Sequence, residues 1–182
     1  MSKVYVCNLA TLSEEVARFA PEKVLTLIDP GTALPSLAGY DEGRVLRLFV
    51  HDIVEPLDAF SVPPDMDHVA AFLEFGREIG SDGLLVHCFA GISRSTAAAY
   101  AIVCQRNPGR EEQVARALRT AGPHAYPNRR IVALADEILG REGRMVAAVD
   151  AMTPPSGYGY AGPVTLALDL DAPNSTADGE LR

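Results

Sequence analysis

The sequence predicts an α/β domain with a central, mostly parallel sheet of four to five strands flanked by helices. Three observations point there. Val24-Leu25-Thr26-Leu27-Ile28 and Leu84-Leu85-Val86 are near-continuous apolar runs, the pattern of strands covered on both faces. Segments with apolar residues at helical spacing separate and follow them. The first two strands are joined through a helix, the connection that a parallel βαβ unit needs.

Taken in order, Lys3–Val6 reads as a strand. Ser13 is the predicted N-cap of a short helix to Phe19, with Glu14 and Glu15 in its first turn and Pro21 after it. Val24–Ile28 is a strand stopped by Asp29-Pro30-Gly31. Residues 32–43 form a loop rich in Gly, Pro and Ser, and Pro30–Gly43 is the candidate wall of a pocket. Arg44–Val50 resumes as a strand, and His51–Pro64 is irregular, with Pro56, Pro63 and Pro64. Asp65–Ile79 carries Val69, Phe72, Leu73 and Phe75 at helical spacing and closes at Gly80. Gly83–Val86 is a strand, Ser95–Cys104 a largely apolar, central helix, and Glu111–Thr120 and Asn128–Leu139 are amphipathic helices. Residues 1–150 form the expected folded domain. Residues 151–182, with four prolines and four glycines, read as a tail that is partly ordered at best, within which Val164–Leu170 is a candidate edge strand.

The chain has 182 residues, 48% of them hydrophobic and 22% charged, which suits one globular domain plus a tail. Its net charge of -8 argues against a nucleic-acid partner. No apolar stretch approaches the ~18 residues of a membrane span, so no membrane partner is expected. Three cysteines cannot all pair and match no zinc spacing, which fits a reducing compartment and a cytoplasmic location.

The chemistry concentrates in His87-Cys88-Phe89-Ala90-Gly91-Ile92-Ser93-Arg94-Ser95, between a strand and a helix. A loop entering a helix turns backbone N–H groups into one concavity, and the helix dipole adds positive potential. Arg94 supplies a planar fork matched to two phosphate oxygens. A cysteine on the floor of such a cradle is favoured as thiolate. No acidic side chain lies between Cys88 and Arg94, and Gly91 permits close backbone approach. Phe89, Ala90, Gly91, Ile92, Ser93 and Arg94 are therefore the candidate phosphate-binding residues. Ser95 either donates to the Cys88 sulfur or merely caps the helix. His87 should point away from the cradle by strand alternation, as a structural histidine bonded to the loop.

His-Cys-x-x-Gly-x-x-Arg-Ser in this setting resembles the signature of the cysteine-dependent protein tyrosine phosphatase superfamily, nearest its small dual-specificity-like bacterial branch. The resemblance covers about residues 1–140 and implies a phosphatase-like fold and a two-step reaction. Cys88 attacks phosphorus, and water then hydrolyses the phosphocysteine, with no cofactor and no metal. It also implies a carboxylic acid on a mobile upstream loop. Asp52 fits, at a strand end that parallel pairing places at the same sheet edge as Cys88. Asp58 and Glu55 are rivals. The implied substrate is a phosphorylated protein or small phosphomonoester. Phe89, Ala90, Ile92 and Ser93 stand where enzymes of polyphosphorylated lipids carry lysine, so tyrosine phosphate, or serine and threonine phosphate too, is favoured.

Other readings weigh against this one. A pseudophosphatase would bind a phosphorylated peptide in the cradle without turnover. A sulfurtransferase loop needs no arginine six positions after its cysteine. His51-Asp52 resembles a metal-binding His-Asp pair, but His68 and His124 show no ligand spacing. In Pro127-Asn128-Arg129-Arg130, Asn128 or Arg129 either borders the cradle or only starts a helix. Cys104, about 15 Å along the helix from Arg94, reads as core. Cys7 reads as core or as a resolving thiol.

Overall fold

The computed structural model describes residues 2–155, 157, 159–160 and 162–170. Five strands form one sheet: β1 (Lys3–Asn8), β2 (Lys23–Ile28), β3 (Val45–Phe49), β4 (Leu84–Cys88) and β5 (Val164–Ala167), in the order β3-β2-β4-β1-β5. The first four run parallel and β5 pairs antiparallel with β1. β1 and β2 do lie parallel, but β4 is inserted between them. All five residues of β4 are buried, as its apolar run demands of the middle strand. The edge strand sits inside the segment that the sequence presented as a tail. Residues 171–182 of that segment lie outside the described residues.

Among the described residues six α-helices cover the sheet: α1 (Leu12–Phe19), α2 (Met66–Phe75), α3 (Arg94–Arg106), α4 (Glu111–Ala121), α5 (Arg129–Ile138) and α6 (Arg144–Asp150). α1 packs Leu12 and Val16 against Cys7, Val24, Val45 and Leu85 on one face. The other five cover the opposite face around α3, whose residues Arg94–Cys104 are all buried. Ala97, Ala98, Ala99 and Ala101 let this helix lie close to the strands and to its neighbours.

Several boundaries differ from the sequence expectation. Helix α1 starts one residue before Ser13, and Asn8 Oδ1 accepts from Thr11 N (2.8 Å) and Thr11 Oγ1 (2.9 Å), so Asn8 and not Ser13 organises that turn. Helix α2 stops at Phe75 rather than Ile79, because Gly76, a poor helix former, follows, packed tightly against the Ile102 side chain. Helix α6 carries no sequence expectation at all. Within the loop at 30–43, Ser36, Leu37, Ala38 and Tyr40 line a pocket with Ser13, Val16 and Ala17 of α1. Tyr40 donates to Pro21 O (2.6 Å) and Arg44 Nε to Glu22 O (2.7 Å), which anchors the end of that loop at the opposite edge of the sheet.

Candidate active site

Cys88 ends β4 at the carboxyl edge of the sheet, in register with Asn8 at the end of β1. The chain turns through residues 89–93 and enters α3 at Arg94. The turn depends on Gly91, whose φ of +71° suits glycine and where a Cβ would lie 2.9 Å from Asn8 N. Three carbonyls of the loop are tied to its surroundings. Phe89 O accepts from Leu9 N (3.1 Å), Ile92 O from Tyr126 N (2.9 Å) and Ser93 O from Asn128 N (3.3 Å). On the other side of the loop, Gly91 N–H donates to Cys88 Sγ (3.2 Å). Ser95 Oγ, buried in the first turn of α3, lies 3.1 Å from the same sulfur. Cys88 itself is 1% exposed.

Arg94 is 3% exposed. Its Nη1 donates to Asp29 Oδ1 (2.9 Å), just past β2, and to Val50 O (2.6 Å), just past β3. The guanidinium is thereby held by the ends of two strands. Its Nε is buried without a hydrogen-bond partner among the described residues and lies 3.9 Å from Asp52 Oδ2. A buried donor of this kind suits an anionic oxygen.

Asp52 follows β3, as parallel pairing required. Its Oδ1 accepts from Ser93 Oγ (2.7 Å) and from Asn128 Nδ2 (2.8 Å). Asn128 also caps α5, accepting from Ile131 N (3.1 Å) through Oδ1. Next to it Arg130 donates to Pro64 O (2.5 Å) and Val54 O (3.2 Å), so α5 grips the loop that carries Asp52. Asp58 stands apart. Ser61 Oγ and then Phe60 N donate to its carboxylate and hold it below the usual range, within its own exposed turn. Glu55 lines a groove beside the cradle.

His87 is buried and faces away from the sulfur, with Nε2 2.8 Å from Thr26 Oγ1. The partner of Nε2 is on the neighbouring strand β2. Burial depresses its pKa to about 4. His51 Nδ1 accepts from Val62 N (2.9 Å), which occupies it in shaping the loop. Burial pushes the thiols of Cys7 and Cys104 up to about 12, in contrast to what a reactive cysteine needs. Among the described residues no group of three or more His, Cys, Asp or Glu is placed to hold a metal ion, and no helix is long and apolar enough to cross a membrane.

Cys88, Arg94, Ser95 and Asp52 thus come together, along with the intervening loop. Sequence reasoning missed Asp29, read only as a strand stop, and left Asn128 undecided. Asp29 had a signal, its position at the carboxyl end of a buried parallel strand.

No family model matches the chain. The MAP kinase phosphatase with leucine-rich repeats protein 2 of Dictyostelium discoideum is 32% identical over 75 residues, 41% of this chain but 10% of that protein. The chain therefore corresponds to a small part of that relative. Among solved structures, DUSP15 superposes with a TM-score of 0.57 at 21% identity, covering 82% of this chain and 92% of that one. PTPMT1 in complex with PI(5)P gives 0.55 at 17% identity, covering 79% and 92%. A mouse putative dual specificity phosphatase, complexed with zinc tungstate, gives 0.51 at 22%, covering 80% and 86%. The fold is that of the dual-specificity phosphatases. In that fold the loop from Cys88 to Arg94 joins the central strand to the central helix, and the segment after β3 brings Asp52 to the same edge.

Proposed function

We propose that the protein is a cysteine-dependent phosphomonoester hydrolase that acts on phosphotyrosine in proteins, with phosphoserine and phosphothreonine as further substrates, through a phosphocysteine on Cys88. The observation that supports it most is the convergence of Cys88, Arg94 and Asp52, from three separate segments, on one buried-floored cradle.

In the first step the Cys88 thiolate forms a bond to phosphorus as the bond to the substrate oxygen breaks. The N–H groups of residues 89–93 and the Arg94 guanidinium hold the three phosphoryl oxygens. Asp52 gives its proton to the departing oxygen. Oδ1 is engaged by Ser93 and Asn128, which leaves Oδ2, the oxygen turned toward Arg94, as the one free to exchange a proton with the substrate. In the second step Asp52 takes a proton from water as that water attacks phosphorus. The P–S bond breaks, Ser95 Oγ donates to the departing sulfur, and inorganic phosphate leaves. The cycle uses only groups the chain supplies. A nucleophilic thiol must be kept reduced, which accords with a reducing compartment such as the cytoplasm.

The purified protein should hydrolyse p-nitrophenyl phosphate in the presence of EDTA, and Cys88→Ser should abolish turnover while still binding vanadate. Activity that EDTA removes, or that survives in Cys88→Ser, overturns the assignment.

A further inference from the structure

Large apolar side chains that face solvent gather beside the cradle. Leu57 is 78% and Tyr126 55% exposed, and both line one groove. Contiguous exposed apolar surface marks a place of contact. Ile53, Val54 and Leu57, on the loop carrying Asp52, face Tyr126, Pro127 and Arg129 across a groove of about 680 Å³ that also includes Asp52, Ser93 and Asn128. A phosphorylated side chain seated in the cradle brings its neighbours along the chain over this groove.

We propose that the groove is a specificity subsite, and that it takes an apolar side chain adjacent to the phosphotyrosine of a peptide substrate. The inference rests on the phosphatase reading above and names the sequence context of its substrate. Ile53, Val54, Leu57, Tyr126 and Pro127 reward an aliphatic or aromatic neighbour, while Asp52 and Glu55 in the same lining repel an acidic one. A bilayer is a poorer occupant. Glu55 and Asp58 stand between Val54, Leu57 and Phe60 on the same loop, and the chain carries a net charge of -8, so an anionic membrane repels this face.

The test compares phosphotyrosine peptides that carry Leu, Ala or Glu beside the phosphotyrosine, with p-nitrophenyl phosphate alongside. The wild-type protein should prefer Leu over Ala by about tenfold in kcat/KM, and Leu over Glu by more. In Leu57→Ser and Tyr126→Ser the Leu-to-Ala ratio, measured within each variant, should fall toward one. Equal rates on the three peptides, with p-nitrophenyl phosphate still hydrolysed, overturn the subsite alone. Faster turnover of a phosphoinositide in vesicles than of any peptide also overturns it. No turnover of p-nitrophenyl phosphate overturns the phosphatase reading instead.

Discussion

Asn128 Nδ2 donates to Asp52 Oδ1 at 2.8 Å, linking residues 76 positions apart. One side chain thus ties the loop after β3 to the start of α5, while its backbone N–H binds Ser93 O in the cradle. The carboxyl group proposed as acid is consequently fixed by the same residue that ties down the loop from Cys88 to Arg94, and precise placement of a proton donor is worth orders of magnitude in rate.

Asp52→Asn should lower kcat on a phosphotyrosine peptide by about 10²–10⁴-fold, the usual span for general acid catalysis. The loss should be much smaller for an aryl phosphate with a strongly activated leaving group, which needs little protonation. Asp58→Asn should leave both rates near wild type, because that carboxylate is bonded within its own turn. Steady-state kinetics on the two substrates separate these outcomes, and a defect at Asp58 reassigns the acid.

Asn128 serves both as a helix cap and as a donor to Asp52, and two variants divide these roles. Asn128→Ala removes both, costing about 1 kcal/mol of stability as a lost cap and about tenfold in kcat. Asn128→Asp keeps a capping oxygen but sets a second carboxylate against Asp52. It should melt near the wild-type temperature while losing more activity than Asn128→Ala. Paired thermal melts and kcat values decide the matter. Activity that simply tracks stability in both variants reduces Asn128 to a cap.

Ser95 should matter most when the sulfur leaves. A hydrogen bond to a departing thiolate is worth about 1.5–3 kcal/mol, so Ser95→Ala should slow phosphocysteine hydrolysis about 10–100-fold. Stopped-flow with p-nitrophenyl phosphate should then show a burst of p-nitrophenol near one equivalent, followed by a slow steady state. A uniform slowing without a burst would place Ser95 in the first step.

How far the site was legible in the sequence follows from how local its parts are. The residues from Cys88 to Ser95 are contiguous, so their arrangement depends only on a strand, a tight turn at Gly91 and a helix, each visible in the residue pattern. Asp52 was legible because parallel strands share a carboxyl edge. Asp29 and Asn128 act across the sheet and between loops, and their roles depend on β4 lying between β1 and β2, an order no spacing encodes. Where the loop at 30–43 ends was not legible for the same reason. Its Gly and Pro content marks a loop, but the Tyr40 and Arg44 contacts that hold its end at the far edge are long-range. Local rivalry explains the smaller misses. Asn8 captured the turn expected of Ser13, and Gly76 ended α2 before Gly80.

His87 gives the fold a pH dependence of definite sign. Burial lowers its pKa from 6.5 to about 4 in the native state. Between those values the unfolded chain binds a proton that the native protein excludes, so stability is full above about pH 6.5 and declines as pH falls toward 4. The decline attributable to this residue is on the order of 3 kcal/mol. Urea unfolding of wild type and His87→Gln at about pH 7 and about pH 4.5 should show a smaller pH-dependent loss in the variant. Equal losses in the two would exclude His87 as the source.

The most direct test of the mechanism is mass spectrometry of wild-type protein quenched in acid during turnover of p-nitrophenyl phosphate. The account predicts one phosphoryl group on the peptide containing Cys88, absent when the substrate is omitted. Continued turnover with no phosphoryl group on Cys88, or with the group on another residue, would contradict it.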